Sequence, residues 1–211
     1  MACGKSLIIS CRTLERELRA ALAEAKADIP VIFLPEELHN SPPKLHDYVQ
    51  EVVDSLGNVD RVMLCVSGCG GGTKGLVAST AELVIPKTAD CLDILLHGGD
   101  PRPKQAIFLT ESWMRFMQKS GMDIDKLTAK LGREEAEAAL RRIYKGFENF
   151  YIIDTGVYDT APVEEYIRPL VDILGGELHY LRGEYSLLRK MAAGNIDDDF
   201  YLVPKGETHL P

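Results

Sequence analysis

Three cysteines and one histidine follow four segments of the sequence that read as buried strands. They are Cys11 after residues 6–10, His39 after residues 31–34, Cys69 after residues 62–66 and Cys91 after residues 82–85. The carboxyl ends of parallel strands meet at one edge of a sheet, so we expect these four side chains to lie close together. Thiolate and imidazole suit borderline divalent ions, and three cysteines with one histidine form an established tetrahedral zinc set. The sequence therefore predicts a divalent metal site, most readily filled by zinc, at this edge.

Three of the four residues also have an alternative structural interpretation. Cys11 at a strand exit is often a small buried hydrophobe, and Cys91 is compatible with the first inward residue of an apolar helix. His39 is compatible with a cap on the helix that follows it. No pair has the Cys-x-x-Cys spacing of a zinc ribbon, so the metal interpretation rests on convergence of strand ends. Cys65, inside the third strand, is predicted to belong to the core.

A glycine-rich loop leaves the third strand and reads Ser-Gly-Cys-Gly-Gly-Gly-Thr over residues 67–73. It lacks the Gly-x-Gly-x-x-Gly order of a dinucleotide fold and the Gly-Lys-Ser/Thr ending of a P-loop. Successive backbone amides in such a loop can form an anion-binding nest. We therefore expect a small anionic ligand or cofactor group to be held by Gly68, Gly70, Gly71, Gly72 and Thr73.

Strand and helix patterns alternate along the whole chain, and this alternation predicts how the candidate residues are positioned. Continuous apolar runs such as residues 62–66 indicate strands buried on both faces, while apolar residues at helical spacing separate them. We predict an α/β fold, a three-layer sandwich with a mainly parallel, doubly wound, Rossmann-like sheet. Residues 75–80 are expected to form a short helix, and residues 113–146 a helical lid on a single domain spanning residues 1–211.

Composition narrows the class of protein. With 211 residues, of which 45% are hydrophobic, the chain can bury one sizeable core. A formal net charge of -8 argues against a nucleic-acid-binding protein, which normally has a basic face. No apolar stretch approaches the roughly 18 residues that span a bilayer. Five cysteines without a secretory signal suggest reduced thiols, so we expect a cytoplasmic protein with no membrane partner.

Several short segments, in this order, resemble those of a known family. They are Leu7 to Cys11, Leu38 to Pro42, Gly68 to Gly70, Asp90-Cys91, Leu109 to Trp113, Asp154 to Gly156 and Asp199 to Val203. Together they are similar to DUF1638, a family of bacterial and archaeal proteins of unknown function. Many relatives have Tyr-Gly before the loop cysteine, where this chain has Ser67-Gly68.

The resemblance carries functional expectations of its own. It picks out Cys11, His39, Cys69 and Cys91, and it establishes no reaction. Members are often encoded near corrinoid-dependent methyltransferases, which implies a role in methylamine or other methyl-group metabolism. The partner that it implies is a corrinoid protein or a methyltransferase, with corrinoid reached through that partner.

Two alternatives to a metal site stay open at the level of sequence. Residues 8–13 faintly resemble the first cysteine loop of cofactor-independent amino-acid racemases, which use two facing thiols as acid and base. Cys11 and Cys69 would then act without metal on a small carboxylate, one as thiolate and one as thiol. The other alternative is a non-enzymatic protein that binds a cofactor or a partner through the glycine loop.

Overall fold

The computed structural model describes residues 4–66 and 68–210, and for His39, Asn40 and Cys69 it describes the backbone alone. The strands are β1 Ser6–Cys11, β2 Val31–Leu34, β3 Arg61–Cys65, β4 Glu82–Pro86, β5 Ala106–Leu109, β6 Asn149–Asp154, β7 Glu177–Arg182 and β8 Phe200–Val203. The helices are α1 Glu15–Ala25, α2 Pro42–Ser55, α3 Cys91–Leu96, α4 Glu111–Lys119, α5 Ile124–Leu131, α6 Arg133–Ile143, α7 Ala161–Leu174 and α8 Ser186–Ala192. This alternation confirms the α/β class and the mainly parallel pairing.

The described strands form two sheets, one in each of two compact units. The first unit comprises the chain up to His97 and from Tyr185 onward, and the second comprises Gly98–Glu184. A single domain was expected from the sequence, and that expectation stays a prediction. The stretch 113–146 contains α4, α5 and α6, whose residues Met114 and Leu140 belong to the hydrophobic core of the second unit.

The sheet of the first unit has the order β2-β1-β3-β4-β8. The first four strands run parallel to their neighbours, and β8 pairs antiparallel with β4 at the edge. Alternate residues of β1 and β3, such as Ile9 and Leu64, pack against Val49 and Val53 of α2. Cys65 has the opposite orientation in β3, where its sulfur contacts Met191 of α8. Helices thus cover both faces of this sheet.

The sheet of the second unit has the order β5-β6-β7, and all its pairings are parallel. Phe150 and Ile152 of β6 lie in a buried cluster with Val163, Ile167 and further residues of α7. Pro169 lies inside α7, and the helix continues through it to Leu174.

The helix expected at residues 75–80 is absent, and this is a correction to the sequence prediction. Within that segment Val77 forms an isolated antiparallel bridge with Thr208. The Gly75 amide donates to the His209 carbonyl at 2.9 Å, and the His209 amide donates to the Leu76 carbonyl at 2.7 Å. The segment therefore satisfies its backbone through residues 206–209 rather than through helical hydrogen bonds.

Candidate metal site at a sheet edge

The four candidate residues follow four strands that are neighbours in the first unit. In the order β2-β1-β3-β4, these strands are followed or ended by His39, Cys11, Cys69 and Cys91. All four run in the same direction, so their carboxyl ends lie at one edge of the sheet. Such an edge is where ligands bind in open α/β sheets. The side chains of His39 and Cys69 lie outside the described residues.

Cys11 is the last residue of β1, and it pairs in register with Leu34 of β2. Its side chain is 8% exposed and packs in the cluster that contains Leu34 and Leu45. The residue is a buried thiol rather than part of a disulfide. This environment suits both a small core residue and a metal ligand shielded from water.

Cys91 is the first residue of α3 and is 7% exposed. The helix start is fixed by Asp90, whose carboxylate accepts from the amides of Leu92 at 3.0 Å and Asp93 at 3.1 Å. The Asp93 carboxylate in turn accepts from the Ala89 amide. Helix α3 also contacts the turn of residues 12–14 that directly follows Cys11. The chain therefore holds the Cys91 backbone beside the segment that leaves β1.

The glycine loop lies between the start of α2 and the turn before α3. The Gly68 amide donates to the Thr88 carbonyl at 3.3 Å, and a Cβ at Gly68 would lie 3.0 Å from the Ala89 carbonyl oxygen. A Cβ at Gly72 would lie 2.9 Å from Cδ2 of Leu45 in α2. Only glycine allows this close approach without a shift of the neighbours. The loop backbone that carries Cys69 is thus next to the segments that carry His39 and Cys91.

Much of the hydrogen-bonding capacity of the loop amides is already used. The amides of Gly71 and Gly72 donate to the Gly68 carbonyl at 2.6 and 2.7 Å, and the Lys74 amide donates to Gly71 at 3.1 Å. An anion could therefore bind the amides of Gly71, Gly72 and Lys74 only if these hydrogen bonds within the loop were broken. The ligand set of Gly68, Gly70, Gly71, Gly72 and Thr73 stays a prediction, and the loop geometry gives it little support.

Cys65 is a core residue, as its place inside β3 predicted. Its side chain is fully buried, and its sulfur lies 3.7 Å from that of Met191. Burial raises the pKa of the Cys65 thiol to about 12, and a hydrogen bond with Ser10 offsets this rise only in part. Metals bind the thiolate rather than the thiol, so Cys65 is poorly suited to be a ligand.

Thr88 is the residue at this edge that sequence reasoning missed. Its hydroxyl oxygen Oγ1 is buried and has no hydrogen-bond partner. The large majority of buried side-chain polar atoms have a partner, so an exception points to a missing ligand, ion or water. A nearby group that accepts a hydrogen bond, such as a metal-bound thiolate, fits this orphaned donor. Nothing in the local pattern Pro-Lys-Thr-Ala-Asp signals that the hydroxyl is buried.

Among the side chains that the structure describes, no three His, Cys, Asp or Glu residues come together in a way that could hold a metal. Two of the four candidate ligands, His39 and Cys69, are outside that set. The donor chemistry is nevertheless that of a zinc site, and the buried thiols and the orphaned Thr88 hydroxyl are compatible with one.

A cavity of about 1030 Å³ in the second unit is chemically different from this edge. It lies among α5, α6 and α7, and no cysteine or histidine lines it. Its arginines are paired with glutamates one helical turn away: Arg133 and Arg141 with Glu137, and Arg168 with Glu164. The cavity therefore offers no thiolate or imidazole to a metal ion.

Residues 33–192 match DUF1638, described as a protein of unknown function. The chain belongs to the DUF1638 family. The matched range includes His39, Cys69 and Cys91, whereas Cys11 precedes it. No curated protein and no solved structure matches the chain. None of the helices in the described part of the chain is long and apolar enough to cross a membrane.

Proposed function

We propose that the protein binds a divalent metal ion through Cys11, His39, Cys69 and Cys91. The observation that supports this most strongly is the strand order, in which the four residues follow four adjacent parallel strands. Their sequence separation makes this adjacency a property of the fold rather than of a local motif. Zinc is the ion expected in purified protein, because affinity favours it over iron and cobalt at such ligands.

The bound ion would supply the positive charge that buried thiolates require. Burial alone disfavours the charged form of a thiol, and a coordinated thiol is deprotonated outright. If all four residues coordinate, the site is closed and holds the sheet edge together. If only three coordinate, an open position remains for a substrate or a cofactor group.

The family resemblance extends the proposal to partners. A corrinoid protein or a methyltransferase is the partner that it implies, and reduced thiols suit the cytoplasm, where we propose that the protein acts. Co-purification of a corrinoid protein or methyltransferase from the native organism, with loss of the complex after chelation, would support both the partner and the role of the metal.

Metal content measured on three proteins tests the metal site. Wild-type protein purified without chelator should contain about one equivalent of zinc or a similar ion, as expected for four convergent soft ligands. Cys69→Ser removes a soft thiolate from a glycine loop and should lower the metal content while changing the thermal midpoint little in metal-free protein. Cys65→Ser is the matched control: the metal should stay, and the buried hydroxyl should cost about 1–3 kcal/mol of stability.

Two outcomes would contradict the proposal. Wild-type protein with far less than one equivalent, even after metal supplementation, would argue against any site. Loss of metal from Cys65→Ser with retention by Cys69→Ser would mean that the wrong cysteine has been assigned.

The two-cysteine alternative draws on the same strand order, because Cys11 and Cys69 follow the adjacent strands β1 and β3. If metal is absent, exchange of the α-proton of an amino acid in deuterated water would support acid-base chemistry by these thiols. No exchange across a panel of amino acids would remove this alternative.

A further inference from the structure

We propose that the Thr88 hydroxyl donates a hydrogen bond to a cysteine thiolate of the metal site and stabilises the bound form. This inference rests on the proposed metal-binding function. It assigns Thr88 a positioning role beside the ligands rather than a place among them.

The first observation is the unsatisfied hydroxyl itself. Oγ1 of Thr88 is buried, and no described group accepts from it or donates to it. A threonine hydroxyl in the interior ordinarily finds a backbone carbonyl or another side chain, because an unmade hydrogen bond is costly there. An acceptor that is present only when a ligand is bound accounts for the exception.

The second observation is the position of Thr88 between two cysteine-bearing segments. Its amide donates to the Pro86 carbonyl at 2.9 Å, where β4 ends. Its carbonyl accepts from the Gly68 amide at 3.3 Å, and Gly68 directly precedes Cys69. Along the chain, Cys91 begins α3 just beyond the turn that contains Thr88. The Thr88 backbone thus bridges the exits of β3 and β4.

The chemistry of the thiolate explains why a donor would be retained here. Three thiolates give a divalent zinc ion a net negative site, and a hydrogen bond to sulfur spreads that charge. Partners outside the coordination sphere commonly change metal affinity 10–100-fold when they are removed. A hydroxyl that has no partner without metal and gains one with metal favours the metal-bound state selectively.

Thr88→Val tests this inference, because it keeps the shape of the side chain and removes the hydroxyl. Metal-free Thr88→Val should be as stable as the wild type or more stable, since an unsatisfied group is lost. Its zinc affinity, measured by chelator competition, should fall about tenfold. With cobalt as a spectroscopic probe, the sulfur-to-cobalt charge-transfer band should move to lower energy, because the thiolate loses a stabilising donor.

Thr88→Ser is the matched control, and it should keep both the zinc affinity and the band position. Thr88→Ala removes the hydroxyl a second way, should Thr88→Val fail to fold. Wild-type protein that binds neither zinc nor cobalt would overturn the metal-binding proposal and this inference with it. Wild-type binding with unchanged affinity and band in Thr88→Val would overturn the inference alone. Lower stability of metal-free Thr88→Val would also overturn it, by showing that the hydroxyl already has a partner.

Discussion

The buried cysteines of the first unit differ in their position in the sheet, and therefore in whether a metal ion could reach them. Cys65 is fully buried, and its raised pKa keeps it a neutral thiol at physiological pH. Cys11 and Cys91 are also buried, but they lie at strand and helix ends on the edge where ligands bind in α/β proteins. A thiolate in such surroundings needs a positive charge close by, so burial at this edge is compatible with a metal site.

We expect Cys65 to resist thiol reagents in the native protein. The thiolate is the reactive species, and both its rarity at neutral pH and its enclosure slow the reaction. Mass spectrometry of maleimide-treated protein should show Cys65 unmodified in native buffer and fully modified in denaturant. Native labelling at the denatured rate would show that β3 is open to solvent.

His209 should make stability depend on pH. Its ring is 3% exposed and lies against Tyr201, and burial lowers the pKa of the imidazole. As the pH falls below about 6.5, the ordinary pKa of histidine, His209 is therefore protonated in the unfolded chain before it is protonated in the folded protein. Stability from His209 is complete above that pH and declines below it.

Chemical denaturation between pH 7.5 and pH 5 checks this expectation. His209→Gln should flatten the decline below pH 6.5, although it also lowers stability at pH 7.5 through lost packing. His46→Gln on α2 is the control and should retain the decline, because His209 is still present. An equal slope in wild-type protein and His209→Gln would contradict the assignment.

The residue types of the candidate site could be read from the sequence, whereas the surroundings of single atoms could not. Cys65 was assigned to the core because a residue inside a continuous apolar run has little chance of meeting solvent or ligand. Thr88 gave no such signal. The burial of one hydroxyl depends on how β3, β4 and the loops after them pack, and these contacts are distant in sequence.

At the scale of elements, the start of α3 is the feature that holds Cys91. We expect Asp90→Ala to destabilise the protein by about 0.5–2 kcal/mol, because two amides lose the carboxylate that caps them. Asp90→Asn retains a capping oxygen and should cost much less. Denaturant midpoints of both variants test this, and metal content should fall more in Asp90→Ala. Equal stability of the two variants would show that the cap contributes little.

The close approach between the glycine loop and α2 gives a second prediction for these elements. Gly72→Ala places a methyl group against Leu45, which is 2% exposed and has little room to move, so a cost of about 1–3 kcal/mol is expected. Leu45→Val removes the opposing Cδ2 atom. The double variant should therefore be more stable than the sum of the single effects, by about 1 kcal/mol.

Gly57→Ala is the control for this pair, because nothing lies within 4 Å of a Cβ built there. It should be close to neutral in the same denaturation experiment. Additive effects of Gly72→Ala and Leu45→Val would mean that the loop moves away from α2 at little cost.

Most elements follow from local patterns, and the exceptions have long-range causes. The strand Val31–Leu34 has the bounds that its apolar run predicts. Residues 75–80 were wrongly expected to be helical because their pairing partners come more than a hundred residues later. The strand order and the antiparallel direction of β8 are likewise set by contacts between distant segments.

At the scale of the molecule, the two units have separate buried cores, and this predicts a local response to metal removal. Chelation should increase hydrogen exchange at the exits of β1 to β4, which carry the proposed ligands. Residues 98–184 should keep their protection, because none of the four ligands lies there. Exchange that rises equally throughout the chain would indicate that the metal supports global folding instead.

The first unit is assembled from two stretches of chain, and the second unit is an uninterrupted stretch between them. During synthesis, β1 to β4 leave the ribosome well before α8, β8 and the residues that pair with Val77. While the second unit is being made, β4 therefore lacks its antiparallel neighbour β8, and Cys65 lacks its contact with Met191. Until α8 is made, the Cys65 thiol is therefore open to reaction in a way that it is not in the folded protein. Protection of Cys65 is thus one of the last features of the first unit to form, because it depends on a helix that follows the whole second unit in the sequence.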